Sequence, residues 1–419
     1  MVKKYRLDNG MTVLLEPVEG VVSISAGLWI KAGSRNESFS QYGYAHFVEH
    51  MLFKGTAKYS AADIARIVDR VGGQHNAATN REYTCYYINV VSEHLPMAVE
   101  VLADMYYNSL FENVELGKEK KVIIEEIRMY EDTPDEFIHD LFMECMLEGH
   151  PLSHSILGTI QSIEGTTRES LTGFYQDQYG TDNAIFVVSG NFDLSNAEAI
   201  ISRFFSKKIT GAAEAAPVIE APARVMRKHV QRDLEQVHFC MGTEGIPRND
   251  DARWPMYILS TIFGGSMSSR LFQNIREKEG ISYSIYSFHS SYRDHGIFGI
   301  YCATSPETYG RAVELIIKEC RDLLEKGITG QELADAKSFM IGNLALSLES
   351  TEVRMGHLAK NEIIFQRSFS YEDILHCINN ISLDDFSKIS KKLFHDKTLS
   401  LVSVGEVSGP DMKSEKLRL

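Results

Sequence analysis

The stretch "KKITGAAEAAPVIEAPARV", residues 207–225, lies near the midpoint of a 419-residue chain and carries Ala, Pro and a Gly without any amphipathic period. That composition gives an extended linker. On both sides of it the same order of elements recurs, as an internal repeat requires. In the first half the pattern predicts a strand over 21–37 ending in a loop, then helices over 42–54 and 62–73. A hairpin over 74–91 and a helix from Leu95 follow. The second half offers a strand over 236–250, helices over 254–265 and 269–280, a hairpin over 281–304 and a helix over 305–326. Arg35-Asn36-Glu37 superposes on Arg248-Asn249-Asp250 at an offset of 213, and Phe53-Lys54-Gly55 on Phe263-Gly264-Gly265 at 210. The fold class read from this is α+β, with two homologous α/β-sandwich domains, each an antiparallel-rich sheet with helices on one face. Their expected limits are 1–210 and 225–419, joined by a linker over 211–224.

Length and composition set outer bounds. Two domains of about 200 residues suit a chain too long for one ordinary core. Hydrophobic residues make up 44% and charged residues 24%, as in an ordinary globular protein. The net charge of −14 argues against nucleic-acid binding through phosphate neutralisation. Cys85, Cys145, Cys240, Cys302, Cys320 and Cys377 include no Cys-x-x-Cys pair and read as reduced core residues. The start, "MVKKYRLDNGMTVLLEP", lacks the apolar region of a signal peptide and reads as a hairpin turning at Asp8-Asn9-Gly10. No run of 18 apolar residues suits a membrane span. The expectation is a cytoplasmic protein without a membrane partner.

Within the first predicted helix, "AHFVEHMLFKG" (45–55) places His46, Glu49 and His50 in an otherwise apolar run. Histidines four apart stack on one helical face, close enough to share one ion. Glu49 lies beside them, where a carboxylate can take a proton from water. The bland alternative is a helix with two satisfied histidines and a surface Glu. The repeat weighs against it, because at an offset of 210 the twin positions hold Met256, Leu259 and Ser260. A fold that needed the polar trio for packing should need it in both copies.

H-x-x-E-H inverts the H-E-x-x-H zinc signature and marks the inverzincins. With these residues the chain resembles, over nearly its whole length, the pitrilysin or mitochondrial-processing-peptidase (M16) family of zinc metallopeptidases, of the bacterial processing-protease type. The resemblance implies a third metal ligand 76 residues after the second His, which is Glu126 in "EKKVIIEEIRMYED". Glu125 is its near rival there. Glu119, two turns earlier on the same face, matches a Glu that supports catalysis near the zinc. Two imidazoles and a carboxylate leave one tetrahedral position open, the mark of a catalytic Zn2+, one per chain. Glu49 then acts as the base toward the attacking water, and the reaction is peptide-bond hydrolysis.

The same resemblance implies a second site. In "GGSMSSRLFQNIREKEGISYS" (264–284), Arg276 and Tyr283 match an Arg/Tyr pair of the domain that faces the zinc. Tyr283 would hydrogen-bond the oxyanion and Arg276 would hold substrate or Tyr283; a surface Arg and a packed Tyr are the plain alternative. The family encloses substrate in a clamshell chamber of four such domains. This chain supplies half, which implies a homodimer with an active site shared between chains. "NAATNREYT" (76–84) matches a strand edge that pairs with extended peptide, with Asn76, Ala77 and Ala78 as candidates, or is an ordinary hairpin turn. Glu136 and Asp140 in "DEFIHDLFMECM" (135–146) sit where processing peptidases hold an arginine upstream of the cut, or form a solvated acidic face. Substrates would then be basic, unfolded or presequence-like peptides. Two rival readings are a catalytically idle partner or core subunit, and a zinc-binding interaction protein without turnover.

Overall fold

The computed structural model describes residues 2–212, 225–395, 397, 399–407 and 417–419. Most of the expected linker, 213–224, lies outside the described residues. The chain forms two compact units. The first gathers residues 1–129, 154–217 and 347–368, and the second gathers 130–153, 218–346 and 369–419. The contiguous division expected from sequence is thus crossed twice, by 130–153 and by 347–368.

In the first unit six strands form one sheet: β1 (Lys3–Arg6), β2 (Thr12–Pro17), β3 (Ser23–Ile30), β4 (Gln74–Thr79), β5 (Thr84–Val91) and β6 (Ala184–Gly190), ordered β1-β2-β6-β3-β5-β4. The pairing of β2 with β6 is parallel and the rest is antiparallel. β1 and β2 meet in the expected hairpin around Asp8-Asn9-Gly10. One face of the sheet carries the main core, which includes Phe47, Val48, Leu102, Tyr106, Phe186 and Phe205. The other face is apolar too, since β6 is buried along its whole length. A strand covered on both sides reads as a continuous apolar run, as "AIFVVSG" does. The helix Thr351–Phe365 covers this second face with Met355, Leu358 and Ala359 against Trp29, Cys85, Ile185 and Val187.

The second unit repeats the plan with β7 (Arg227–Gln231), β8 (Val237–Glu244), β9 (Ser282–Ser291), β10 (Gly296–Thr304) and β11 (Ser400–Gly405), ordered β7-β11-β8-β10-β9. β7 and β11 are parallel, as β2 and β6 are, and β8, β10 and β9 match β3, β5 and β4. Here the helix Pro134–Met146 covers the second face, with Ile138, Leu141 and Phe142 against Cys240, Tyr301 and Val402. Each sheet therefore has the expected helical layer on one face and a further helix on the other. That further helix is supplied from the distant part of the sequence, which is why the units are not contiguous. The helix expected over 269–280 is a short π-helical segment, Phe272–Lys278. All six cysteines are free, five of them buried. No helix among the described residues is long and apolar enough to cross a membrane.

Two outcomes follow for stability. Phe186 is fully buried and its ring centroid lies 4.6 Å from that of Phe205, so Phe186→Ala should cost about 3–5 kcal/mol in denaturant unfolding. In the second unit, burial holds the His139, His238 and His295 imidazoles below the ordinary histidine value of 6.5. Because the unfolded chain binds more protons below that value, stability present above pH 6.5 should be lost as pH falls from there toward the lowered folded values. Unfolding midpoints at pH 7.5 and 5.5 should show the drop, and His295→Phe should reduce it.

Candidate metal centre

The motif sits on the helix Tyr44–Leu52. Phe47, Val48, Met51 and Leu52 are fully buried in the core, and this apolar stripe fixes the helix rotation. His46, Glu49 and His50 are then left together on the opposite side. The helix begins at Gly43, whose φ of 91° and close approach to the Leu157 carbonyl leave no room for a side chain. A second helix, Asn113–Glu131, is anchored by Leu116, Ile123 and Ile127 and presents Glu119 and Glu126 seven residues apart.

The two helices bring three donor atoms to one point. His46 Nε2 lies 3.2 Å from His50 Nε2, and Glu126 Oε2 lies 3.8 and 3.7 Å from the two nitrogens. All three lie within 4.8 Å of one another, the one such group of His, Cys, Asp and Glu among the described residues. An ion with 2.0–2.1 Å bonds to tetrahedral ligands sets those ligands about 3.3–3.4 Å apart, so the set fits a zinc-sized cation after small adjustment. Its chemistry fits as well. Burial, aided by His50, pushes the His46 imidazolium down to about 3, which keeps that ring neutral as a metal ligand must be. Ring nitrogens 3.2 Å apart need a cation or a ring N–H between them.

Around these donors the structure adds partners that the motif did not name. His50 Nδ1 lies 3.0 Å from Glu119 Oε2, and Lys54 Nζ lies 2.8 Å from Glu119 Oε1. Burial alone would raise the Glu119 carboxyl, but these two partners outweigh it and hold the group ionised below its ordinary range. A carboxylate on Nδ1 fixes the His50 tautomer that leaves Nε2 as the ligand. Glu119 therefore sits behind His50. Lys54 lies just past the end of this helix, four residues beyond His50. Glu125 points elsewhere, to Arg128 at 2.6 Å, which separates it from Glu126.

Glu49 is half-buried, and its carboxylate accepts a hydrogen bond from the Thr79 hydroxyl. Burial raises the Glu49 carboxyl above its ordinary value, while Thr79 and His50 oppose the shift. A carboxyl so raised suits a general base. Thr79 ends β4, the edge strand of the sheet, and no spacing rule marks it in sequence. Asn76, Ala77 and Ala78 lie on that edge strand, paired with Tyr87, Tyr86 and Cys85 of β5. The Ala77 N–H donates to the Asn76 side chain at 2.9 Å.

The remaining sequence candidates belong to the second unit. The Arg276 guanidinium lies 4.4 Å from the Tyr283 ring centroid and 4.5 Å from that of Phe272, so the pair is a physical contact. Tyr283 is 77% exposed. Glu136 and Asp140 share the helix Pro134–Met146, Glu136 being exposed and Asp140 half-buried. In the twin of the motif helix, Arg253–Gly264, Met256 and Leu259 are fully buried, and Ser260 Oγ meets Ser287 Oγ at 3.1 Å.

Comparison with known proteins gives a consistent result. Residues 12–160 match the family model described as insulinase (peptidase family M16), and residues 166–340 match the peptidase M16 inactive domain. The chain is 39% identical over 404 residues to an uncharacterized zinc protease of Bacillus subtilis, YmxG, covering 96% of this chain and 98% of that one. It is 36% identical to an uncharacterized zinc protease of Streptomyces coelicolor, covering 93% of this chain and 86% of that one. Among solved structures, a protease from Helicobacter pylori superposes with a TM-score of 0.90 at 22% identity, covering 97% of this chain and 99% of that one. A peptidase M16 inactive domain from Pseudomonas fluorescens does so at 0.91 and 21% identity, covering 98% and 99%. These two likenesses show a common fold.

The Glu119 contact can be tested without any substrate. Glu119→Ala should weaken zinc affinity about 10–100-fold, read by competition with a chromophoric chelator, because His50 loses its orienting partner. An unchanged affinity would mean that Glu119 is a packing residue.

Proposed function

The chain belongs to peptidase family M16, and from that premise we propose that it is a zinc-dependent endopeptidase acting on unfolded peptides. The observation that carries this reading is the convergence of His46 Nε2, His50 Nε2 and Glu126 Oε2 beside a half-buried carboxylate, Glu49. His46, His50 and Glu126 would hold the ion. When bound, it supplies a Lewis acid that polarises the scissile carbonyl and makes a water molecule acidic. Glu49 takes the proton of the attacking water and passes it to the departing amine. Thr79 holds the Glu49 carboxylate in place for this, and Glu119 with Lys54 keeps His50 in its ligating tautomer. This division of labour explains why Glu49 is half-buried and hydrogen-bonded to Thr79, for which a zinc-binding interaction protein without turnover has no use.

Substrate selection follows from the edge strand. An extended peptide adds to β4 through backbone bonds at Asn76, Ala77 and Ala78, displacing the Asn76 side chain from the Ala77 N–H. Edge pairing reads backbone shape, so it favours unfolded or presequence-like chains. Glu136 and Asp140 would favour a basic residue upstream of the cut, where a guanidinium meets paired carboxylates. Tyr283, held by Arg276 stacked on its ring, would donate to the developing oxyanion. We place this pair against the metal site of a second copy, in an enclosed chamber formed by a homodimer. Free, buried cysteines accord with a cytoplasmic protein.

Cleavage of a quenched basic peptide tests the reading. Glu49→Gln should lower kcat by about 10²–10⁴ while zinc content stays near one per chain, and chelation should abolish parent activity. Zinc without cleavage in the parent, across several peptides, would instead support an idle partner subunit. Sharing of the site has its own test. Mixing inert Glu49→Gln and Tyr283→Phe chains should restore activity, and heterodimers that stay inert would overturn the shared site.

A further inference from the structure

The Arg-Asn-Glu/Asp triplet repeats in both halves, and the catalytic reading leaves it without a task. Its last residue in the first unit, Glu37, has a fully buried side chain. Its two carboxylate oxygens accept the backbone N–H of Gly43 at 2.9 Å and of Ala45 at 2.7 Å. These are the first free donors of the helix that carries the metal motif, and His46 is the next residue. His154 Nε2 lies 3.2 Å from Glu37 Oε2. The His154 ring stacks on Tyr42, with centroids 3.8 Å apart and planes 10° from parallel.

The segment carrying His154 grips the start of that helix in two further places. Ser162 Oγ donates to the Tyr42 carbonyl at 2.6 Å. Gly158 lies so close to Tyr42 that a Cβ there would fall 2.3 Å from the same carbonyl oxygen. Residues 154–162 and Glu37 therefore hold the first turn of the motif helix from two sides.

The second unit supplies a natural control. Asp250, the repeat partner of Glu37, accepts the Ala252 N–H at 2.8 Å ahead of the apolar twin helix Arg253–Gly264. Its other oxygen faces Lys392 at 3.3 Å, and this pair is substantially exposed. A cap suffices where the helix carries Met, Leu and Ser. The buried carboxylate with its stacked imidazole occurs where the helix carries ligands. Desolvating such a group is costly, and an exposed cap would serve architecture alone.

We propose that Glu37 and His154 are positioning residues of the metal centre, fixing the first turn of the motif helix so that His46 meets His50 and Glu126. This rests on the zinc reading above. Neither residue touches the donor atoms; Glu37 acts through the backbone of Gly43 and Ala45, and His154 through Glu37 and the Tyr42 ring.

The test measures zinc affinity of the full-length chain by chelator competition, beside the unfolding midpoint of the metal-free protein. His154→Phe keeps the stack on Tyr42 and removes the donor to Glu37, and should weaken zinc binding about tenfold or more. His154→Gln restores a donor and should recover most of that loss. Asp250→Asn, which weakens the twin cap, should leave zinc affinity at the parent value even where it lowers the unfolding midpoint. Glu37→Gln should follow His154→Phe, and if it fails to fold the His154 pair decides alone. Parent-like zinc affinity in His154→Phe overturns the proposal, as does an Asp250→Asn chain that loses as much zinc affinity. A parent chain that takes up no zinc removes the metal reading itself, and this inference with it.

Discussion

Two imidazole nitrogens held 3.2 Å apart beside a carboxylate are the constraint around which the candidate metal centre is built. In a protein interior two lone pairs at that distance repel unless a cation or a proton lies between them. Burial drives the His46 imidazolium far below its ordinary range, so what lies between the two nitrogens is either the ring N–H of one neutral histidine or a cation. Either one needs the two rings held at a set distance and angle, and the surroundings supply that. The apolar stripe of Phe47, Val48 and Met51 fixes the rotation of the helix, Glu119 fixes the ring of His50, and Glu37 fixes where the helix starts.

The same surroundings connect the donors to the sheet. The loop at 34–36 bonds through its backbone to the β4–β5 turn, Ser34 N–H to the Asn80 carbonyl and Arg35 N–H to the Arg81 carbonyl. Arg35 and Glu82 add a buried ion pair at 2.7 Å. One short loop thus ties the start of the motif helix to the end of the edge strand. Thr79, at that strand's end, then holds Glu49. Base, ligands and edge strand are set by one rigid corner, which suits chemistry that tolerates about half an ångström of error.

How much of this was legible in the sequence depended on whether the signal was local. The i,i+4 histidines, the glutamate between them and the apolar run are local, and the helix appears where the pattern puts it. The repeat was legible because loop chemistry at Arg35-Asn36-Glu37 and Arg248-Asn249-Asp250 survives in both halves. The strand pairing of β2-β6-β3-β5-β4 and β7-β11-β8-β10-β9 has the same parallel and antiparallel pattern. The third donor, Glu126, came from family resemblance, because nothing local separates it from Glu125. What stayed hidden is long-range. Thr351–Phe365 reads as an ordinary helix and gives no sign that Met355 and Leu358 cover the sheet of the first unit. Thr79 meets Glu49 across 30 positions and His154 meets Glu37 across 117, and no local pattern announces either contact.

The repeat also separates architecture from chemistry inside one molecule. Both units need a first helix packed on the sheet, and both cap it with the acid that ends the same triplet. They differ on the side of the helix where the trio lies. In one unit that side carries two imidazoles and a carboxylate; in the other, Met256 and Leu259 are buried and Ser260 bonds Ser287. The second helix shows that the fold is content without the polar trio. Burying His46, so that its charged form is strongly disfavoured, is then not required by the fold and suits a neutral metal ligand. The candidate donors therefore lie in one unit alone, on the helices Tyr44–Leu52 and Asn113–Glu131.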